Sequence, residues 1–206
     1  MPASDASSRL GTGRPFGELL DAVAARTPAP GGGSSAAWAS ALAAALVEMA
    51  AGFTLAREEY AGLHERMAAI AERARKLRAI ALELAEQELR AYEPVLDAQR
   101  LPRDDPSRAD RIANALSVAA DSPLAVARGA AELAGLAAEV ATSGNRSLEG
   151  DAVAGAFIAD AACRAAARLV EINLRSAPGD PRLAEAEQLS ADAVAARERA
   201  RPPSAR

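Results

Sequence analysis

The chain has 206 residues, of which 50% are hydrophobic, 57 are alanine and only 3% are aromatic. Its net charge is −4 with acidic and basic residues interspersed, and without a basic stripe nucleic acid is not expected as a partner. The single cysteine, Cys163, excludes an internal disulfide. It indicates a reducing, cytoplasmic location, and the polar first residues lack the apolar core of a secretory signal.

Alanine is the best helix former and a poor strand former, so this composition predicts an all-α protein, a multi-helix bundle with long kinked helices. We expect one helical domain over residues 14–200, with flexible termini at 1–13 and 201–206. Because each alanine buries little area, a single subunit is short of burial, and a homodimer lined by the small residues of 36–51 is a natural remedy.

The predicted elements begin with a short helix that starts at Pro15 and ends near Arg26. The loop TPAPGGG follows it, and either Ser34 or Ser35 is placed to cap a second helix that runs to about Phe53. This second helix is long and apolar. Alanine is only weakly apolar, however, and Glu48 lies inside the segment, so we do not expect it to span a membrane.

Four longer helices complete the prediction, and no segment has a strand pattern. They cover about residues 57–100, 107–140, 151–174 and 181–200. Proline removes a backbone donor and clashes with the preceding turn, so Pro94 and Pro123 should kink the third and fourth helices.

Three consecutive glycines directly before the second helix allow two interpretations. The start of a helix has unpaired N–H groups and partial positive charge, and residues without side chains let a ligand or another backbone touch those groups. Alternatively, the glycines only permit a tight turn between two helices. The loop differs from a standard phosphate-binding loop, because no Gly-Lys-Ser/Thr sequence follows the glycines.

Five segments, in the same order, carry a family resemblance. They are PAPGGGSSAAWASALAAALVEMAAGFT (28–54), AYEPVLDAQRLPR (91–103), SPLAVA (122–127), SGNRSLEGD (143–151) and VEINL (170–174). Together they resemble the formiminotransferase-cyclodeaminase family, specifically its cyclodeaminase part and its stand-alone bacterial relatives. Those relatives include methenyltetrahydrofolate cyclohydrolases.

The resemblance implies a cyclodeaminase-like, all-α subunit that forms a homodimer with its folate site near the subunit interface. It also implies chemistry on a one-carbon unit carried by tetrahydrofolate, with no metal and no further cofactor. The cyclodeaminase closes formiminotetrahydrofolate to 5,10-methenyltetrahydrofolate and releases ammonia. The cyclohydrolase relatives interconvert the methenyl and 10-formyl forms with water.

Ring closure needs a group that takes a proton from the attacking amine and one that protonates the departing ammonia. Glu86, Glu88 and Asp151 are the carboxyl candidates, and Glu86 and Glu88 point in different directions on a helix. The resemblance selects Glu88, in ELRAY, as a catalytic residue where the family has aspartate. Asp151 is the second catalytic candidate, and a helix N-cap is its structural alternative.

The remaining site residues follow from the matched segments. The resemblance implies substrate-binding roles for Pro30, Gly31, Gly32, Gly33, Ser34, Asn145, Arg100 and Asn173. Arg100 is one of three arginines, with Arg57 and Arg103, that could meet the anionic glutamate tail of folate. Leu169 replaces an asparagine of the family, which removes a polar group.

Other conspicuous residues are predicted to be structural. His64 is expected at the surface of a helix, Cys163 as a small buried side chain, and Trp38 in the core or at a dimer interface, with contact to a pterin ring as the alternative. No cluster of metal ligands has usable spacing. Besides the folate enzyme, two alternatives stay open: a folate-binding or scaffold protein that has lost the chemistry, and a purely structural helical dimer.

Overall fold

The computed structural model describes residues 15–200, and in this range it contains eight α-helices and no strand, as predicted for an all-α bundle. The helices are α1 (Phe16–Ala24), α2 (Gly32–Leu55), α3 (His64–Ala91), α4 (Glu93–Arg100), α5 (Arg108–Ala119), α6 (Asp121–Ser143), α7 (Glu149–Asn173) and α8 (Pro181–Ala200). Short 3-10 segments, Glu58–Leu63 and Arg146–Leu148, precede α3 and α7. The termini predicted to be flexible, 1–13 and 201–206, lie outside the described residues, as does residue 14.

Helix α2 is the central element, and it packs against α3, α6 and α7. Its inner face consists of small residues, with Ala43, Ala44 and Val47 fully buried. Most of the small residues of 36–51, which were predicted to line a dimer interface, are therefore buried in the core of the subunit itself. The backbone of helix α7 lies close to that of α2, since a Cβ atom on Gly155 of α7 would be 3.5 Å from the carbonyl oxygen of Ala43. Small side chains therefore let the helix backbones approach closely, and this compensates for the lack of large core residues.

Among the described residues, α2 is the one helix long and apolar enough to cross a membrane by length and composition. Half of its most apolar window is buried inside the bundle. Glu48 on this helix pairs with Arg78 of α3 at 3.0 Å. These contacts are those of the core helix of a bundle, which meets the same criterion.

The prediction that two long helices are kinked at proline is wrong, because the structure has two separate helices in place of each. The first divides at Tyr92, between α3 and α4, and Pro94 lies in the first turn of α4. The second divides at Ala120, and Pro123 lies in the first turn of α6. A missing N–H costs nothing in the first turn of a helix, so each proline follows a chain break rather than a kink.

The predicted caps are also corrected. Gly31 in extended backbone precedes α2, with no side-chain cap, so neither Ser34 nor Ser35 is its N-cap. Similarly, α7 begins at Glu149 after Leu148, which places Asp151 inside the first turn rather than at the N-cap. A carboxylate there still interacts favourably with the positive end of the helix.

Candidate active site

The start of α2 packs against the C-terminal part of α3. It contacts Ala85 and Glu88, which lie one turn apart on α3. The Ser34 hydroxyl donates a buried hydrogen bond to the carbonyl oxygen of Ala85, at 3.2 Å. Next to it, the carboxyl of Glu88 lies directly over Gly33. A Cβ atom on Gly33 would be 1.9 Å from Glu88 Oε2 and 2.5 Å from its Cδ, so a larger residue fits there only if the Glu88 side chain moves.

Of the three glycines, Gly33 alone is in tight contact. A Cβ atom on Gly32 would lie 3.8 Å from a methyl group of Leu169, and one on Gly31 would lie 3.8 Å from the carbonyl oxygen of Pro28, both ordinary distances. The neighbour at Gly33 is a side chain of this chain, not its backbone. The glycine row therefore permits the approach of a carboxyl group to the first turn of α2.

A small cavity of about 140 Å³ opens beside this contact, walled by the glycine loop and by helices α3, α5, α6 and α7. Its lining residues are Pro28, Ala29, Gly31, Gly32, Gly33, Ser34, Glu88, Ala91, Tyr92, Ala119, Pro123, Leu169 and Asn173. A second cleft, of about 410 Å³, shares Pro28, Ala29 and Tyr92 with it. Ligand sites in proteins usually measure about 300–1,000 Å³, so an extended ligand would need both spaces.

Glu88 is unusual because its carboxyl is largely withdrawn from water. Its Oε1 atom is buried and has no hydrogen-bond partner among the described residues. Burial raises the pKa of this carboxyl, and the nearby Ser122 hydroxyl opposes that rise without making a hydrogen bond of standard geometry. A carboxyl with a raised pKa accepts a proton more readily than an ordinary glutamate does, and its ionised form can stabilise a cationic ligand.

The structure brings further predicted residues to this region. Asn173 lines the small cavity and donates from Nδ2 to the carbonyl oxygen of Ala119 at 3.0 Å. Arg100 lines the larger cleft, where it is exposed and forms an ion pair with Asp97 at 2.8 Å. Pro30 is buried after a cis peptide bond and does not itself line the cavity.

Asp151 and Asn145 lie at the opposite end of the bundle. Asp151 and Asn173 stand near the two ends of α7, and a rise of about 1.5 Å per residue separates them by about 33 Å. Asn145 is 5% exposed; its Oδ1 accepts a bond from the Ser147 N–H, and its own N–H donates to Thr54 Oγ1, both at 2.9 Å. Within one subunit neither residue can share a site with Glu88.

The residues predicted to be structural are placed as follows. Cys163 is buried, its thiol donates to the carbonyl oxygen of Leu189 at 3.4 Å, and burial raises its pKa to about 12, which disfavours a nucleophilic role. His64 is the partly exposed first residue of α3, and its Nε2 lies 3.1 Å from the carbonyl oxygen of Arg57. Trp38 is partly buried against the core and does not line the cavity at Glu88.

Two residues at the site, Ser122 and Tyr92, were not predicted from the sequence. Both lie in segments that carry the family resemblance. Tyr92 follows Glu88 by four residues at the end of α3, a spacing that is itself a signal for one helix face, whereas Ser122 meets Glu88 only through packing between α3 and α6. In the described part of the chain, no three histidine, cysteine, aspartate or glutamate side chains are grouped as a metal site.

The comparison with known families decides the assignment. The model of the formiminotransferase-cyclodeaminase family matches residues 15–192 of the chain. The chain belongs to this family. The matched range contains the glycine loop, Glu88 and Asn173, so the whole candidate site lies within the family domain.

Individual relatives agree. Methenyltetrahydrofolate cyclohydrolase of Methylorubrum extorquens is 34% identical over 189 residues, which are 88% of this chain and 91% of the relative. Formimidoyltransferase-cyclodeaminase of Sus scrofa is 31% identical over 85% of this chain, which spans only 33% of that longer protein. The crystal structure of formiminotetrahydrofolate cyclodeaminase from Thermotoga maritima matches with a TM-score of 0.82 and 29% identity, covering 91% of this chain and 93% of that one.

Proposed function

We propose that this member of the family is an enzyme of folate one-carbon metabolism that makes or opens the 5,10-methenyl bridge of tetrahydrofolate. The observation that carries the proposal is the Glu88 carboxyl, buried against Gly33 at the wall of a cavity. Relatives that match nearly the whole chain are named for this chemistry.

Hydrolysis of the bridge is the first candidate, because the Methylorubrum extorquens relative is matched over nearly its whole length. Water attacks the cationic methenyl carbon while the Glu88 carboxylate takes one of its protons. The bond between this carbon and N5 then breaks, and Glu88 returns its proton to N5. The remaining hydroxyl proton is released to solvent as the C=O bond forms, which leaves the neutral 10-formyl form. Before attack, the carboxylate stabilises the positive charge of the bridge.

Ring closure with loss of ammonia is the second candidate, favoured by the structural match to the Thermotoga maritima cyclodeaminase. Here N10 attacks the formimino carbon, a carboxyl takes the proton from N10, and the departing nitrogen receives a proton as ammonia. Both reactions therefore use one carboxyl as acceptor and then donor, which a raised pKa favours.

The rest of the ligand would lie in the adjoining cleft, where Arg100 can meet the anionic tail of folate. Tyr92 lies where the two spaces meet and offers an aromatic surface. Leu169 gives an apolar wall where a polar contact would otherwise be available. We propose no metal and no cofactor other than the tetrahydrofolate carrier, and a cytoplasmic location.

A homodimer is part of the proposal. Leu42, Met49 and Phe53 follow one another on the outer face of α2, and they are 52%, 37% and 54% exposed. Phe157, on the neighbouring helix α7, is 41% exposed. We call these four residues the α2/α7 surface. A second copy, whose identical surface is equally apolar, is the partner that we propose for it.

A spectrophotometric assay tests the activity directly. Purified protein is given methenyltetrahydrofolate, and loss of its absorbance is followed; in a parallel experiment the formimino substrate is given, and its appearance is followed. Turnover that Glu88→Gln abolishes supports the proposal. Folate binding without turnover of either substrate would instead establish the non-catalytic alternative.

A further inference from the structure

Two buried polar atoms at the candidate site lack a hydrogen-bond partner. They are Oε1 of Glu88 on α3 and Oγ of Ser122 in the first turn of α6, and each is unpaired among the described residues. Buried polar groups in folded proteins are nearly always hydrogen-bonded, so two unpaired groups at one place call for an explanation.

The two side chains approach the same place from different helices. Glu88 lines the 140 Å³ cavity together with Pro123, the residue after Ser122. Ser122 itself lines a neighbouring, larger cleft of about 730 Å³, and Ala91 belongs to both walls. The other carboxyl oxygen, Oε2, lies over Gly33, so Oε1 is the atom left to meet the hydroxyl.

A serine hydroxyl suits this position in both protonation states of the carboxyl. It can donate to a carboxylate oxygen, and it can accept from a protonated carboxyl. We propose that Ser122 is a positioning residue for Glu88, whose hydroxyl donates a hydrogen bond to Oε1 of the ionised carboxylate and accepts one from the protonated carboxyl. This inference deepens the proposed function and rests on it for its catalytic meaning.

Several other groups surround the Glu88 carboxyl. Helices α2 and α7 face the cavity with Gly33, Leu169 and Asn173. The titratable and charged groups on the surrounding elements are Tyr92, Glu93, Asp121 with its partner Arg182, and, beside the larger cleft, Glu83, Glu86 and Arg90. None of these charges contributes to the pKa shift of Glu88, whose causes are burial and the Ser122 hydroxyl.

The test is an NMR titration of protein labelled with ¹³C at the glutamate carboxyl carbons. Glu88→Gln identifies the signal of Glu88 by its loss. Removal of a donor disfavours the ionised form, so in Ser122→Ala the pKa of Glu88 rises above its wild-type value. Ser122→Thr, which keeps the hydroxyl, should restore the wild-type titration. Ser190→Ala on α8, which lines neither cavity, should leave it unchanged.

An unchanged titration in a folded Ser122→Ala variant would overturn the proposal. If that variant does not fold, Ser122→Cys supplies the same test, since a thiol of similar shape is a much weaker donor and should also raise the pKa. Activity is read separately. A shifted titration without folate turnover leaves the pairing and removes the proposed function, whereas turnover with an unshifted titration removes the pairing alone. With both intact, the acidic limb of the pH–rate profile moves to higher pH in Ser122→Ala.

Discussion

The Oε2 atom of Glu88 occupies the space into which a side chain at Gly33 would project, 1.9 Å from the position of its Cβ. A glycine at the start of one helix and an acidic residue near the end of another are thus one structural unit. The positive end of α2 partly offsets the cost of burying the charge. The contact accounts for one member of the glycine row: Gly33 permits close packing, and the group packed there is the carboxyl with the raised pKa.

Replacement of Gly33 should therefore damage both stability and activity. In Gly33→Ala the Glu88 side chain must leave its position, so we expect a loss of about 1–3 kcal/mol in the free energy of unfolding, as for other overpacked sites. Turnover should fall at least about tenfold, since the carboxyl is displaced. Denaturant unfolding and the folate assay measure the two effects.

Gly52→Ala is the matched control, because Gly52 lies on the same helix with nothing within 4 Å of its Cβ position. Alanine is the better helix former, so this variant should be as stable as wild type or more stable, by up to about 1 kcal/mol. In the double variant Gly33→Ala/Glu88→Ala, stability should recover while activity stays absent. Equal tolerance of alanine at positions 33 and 52 would contradict the close contact.

Replacement of Glu88 should separate chemistry from folding. Glu88→Gln keeps the shape of the side chain, so the protein should fold, while turnover falls by about 10²–10⁴-fold, as is typical of general acid–base groups. Glu86→Gln, two residues away and exposed, should retain most of the activity. Brisk turnover by Glu88→Gln would remove Glu88 from the mechanism.

Glu88→Asp addresses the departure of this chain from the family pattern. The variant has the shorter acid that the family has at this position, with the carboxyl one methylene closer to α3. An increase in turnover would show that glutamate weakens the site. A decrease is expected if the position over Gly33 is the productive one, because that contact needs the full length of the glutamate side chain.

The pH dependence of stability follows from the direction of the Glu88 shift. Burial raises its pKa in the folded state, so its contribution to stability is fully present below the unfolded value and is lost as pH rises through the folded value. At pH 7 the melting temperature of Glu88→Gln should therefore equal or exceed that of wild type, with a smaller difference at acidic pH. A wild type that gains stability over this variant as pH rises would reverse the sign.

The same shift predicts the pH–rate profile. If the Glu88 carboxylate is the base, kcat/KM falls as the carboxyl becomes protonated, and the acidic limb lies at a higher pH than an ordinary glutamate would give. Glu88→Gln should lack this limb in its residual activity. An identical limb in that variant would assign the titration to another group.

The α2/α7 surface should control the oligomeric state. Multi-angle light scattering of wild type is expected to show a dimer, and Leu42→Lys/Phe53→Lys a monomer, because buried charges without partners oppose association. Ile80→Lys alters an apolar residue on α3 that is 44% exposed, outside this surface, and should remain dimeric. A folded wild-type monomer at micromolar concentration would contradict the proposal.

Much of the fold follows from the sequence because the relevant forces are local. Abundant alanine selects helix over strand at every position, and prolines and glycines mark where helices stop. The family resemblance assigned Glu88, which lies just before the second matched segment, and the glycine loop to one site. What the local pattern did not determine was whether Pro94 and Pro123 kink a helix or follow a break, because both arrangements satisfy the missing N–H.

The tertiary structure decided which predicted residues meet. Helix packing brings Gly33, Glu88, Tyr92 and Asn173 to one cavity, and it brings Ser122, which lines the neighbouring cleft, close to the Glu88 carboxyl. Because α7 is long, Asp151 lies about 33 Å from Asn173 at the cavity within a subunit. Asn145 instead stabilises a loop through hydrogen bonds with Thr54 and Ser147. The sequence determines residue types and helical faces. Which residues lie close together depends on how long each helix is and where the next one begins. Such distances arise only when the helices have packed against one another.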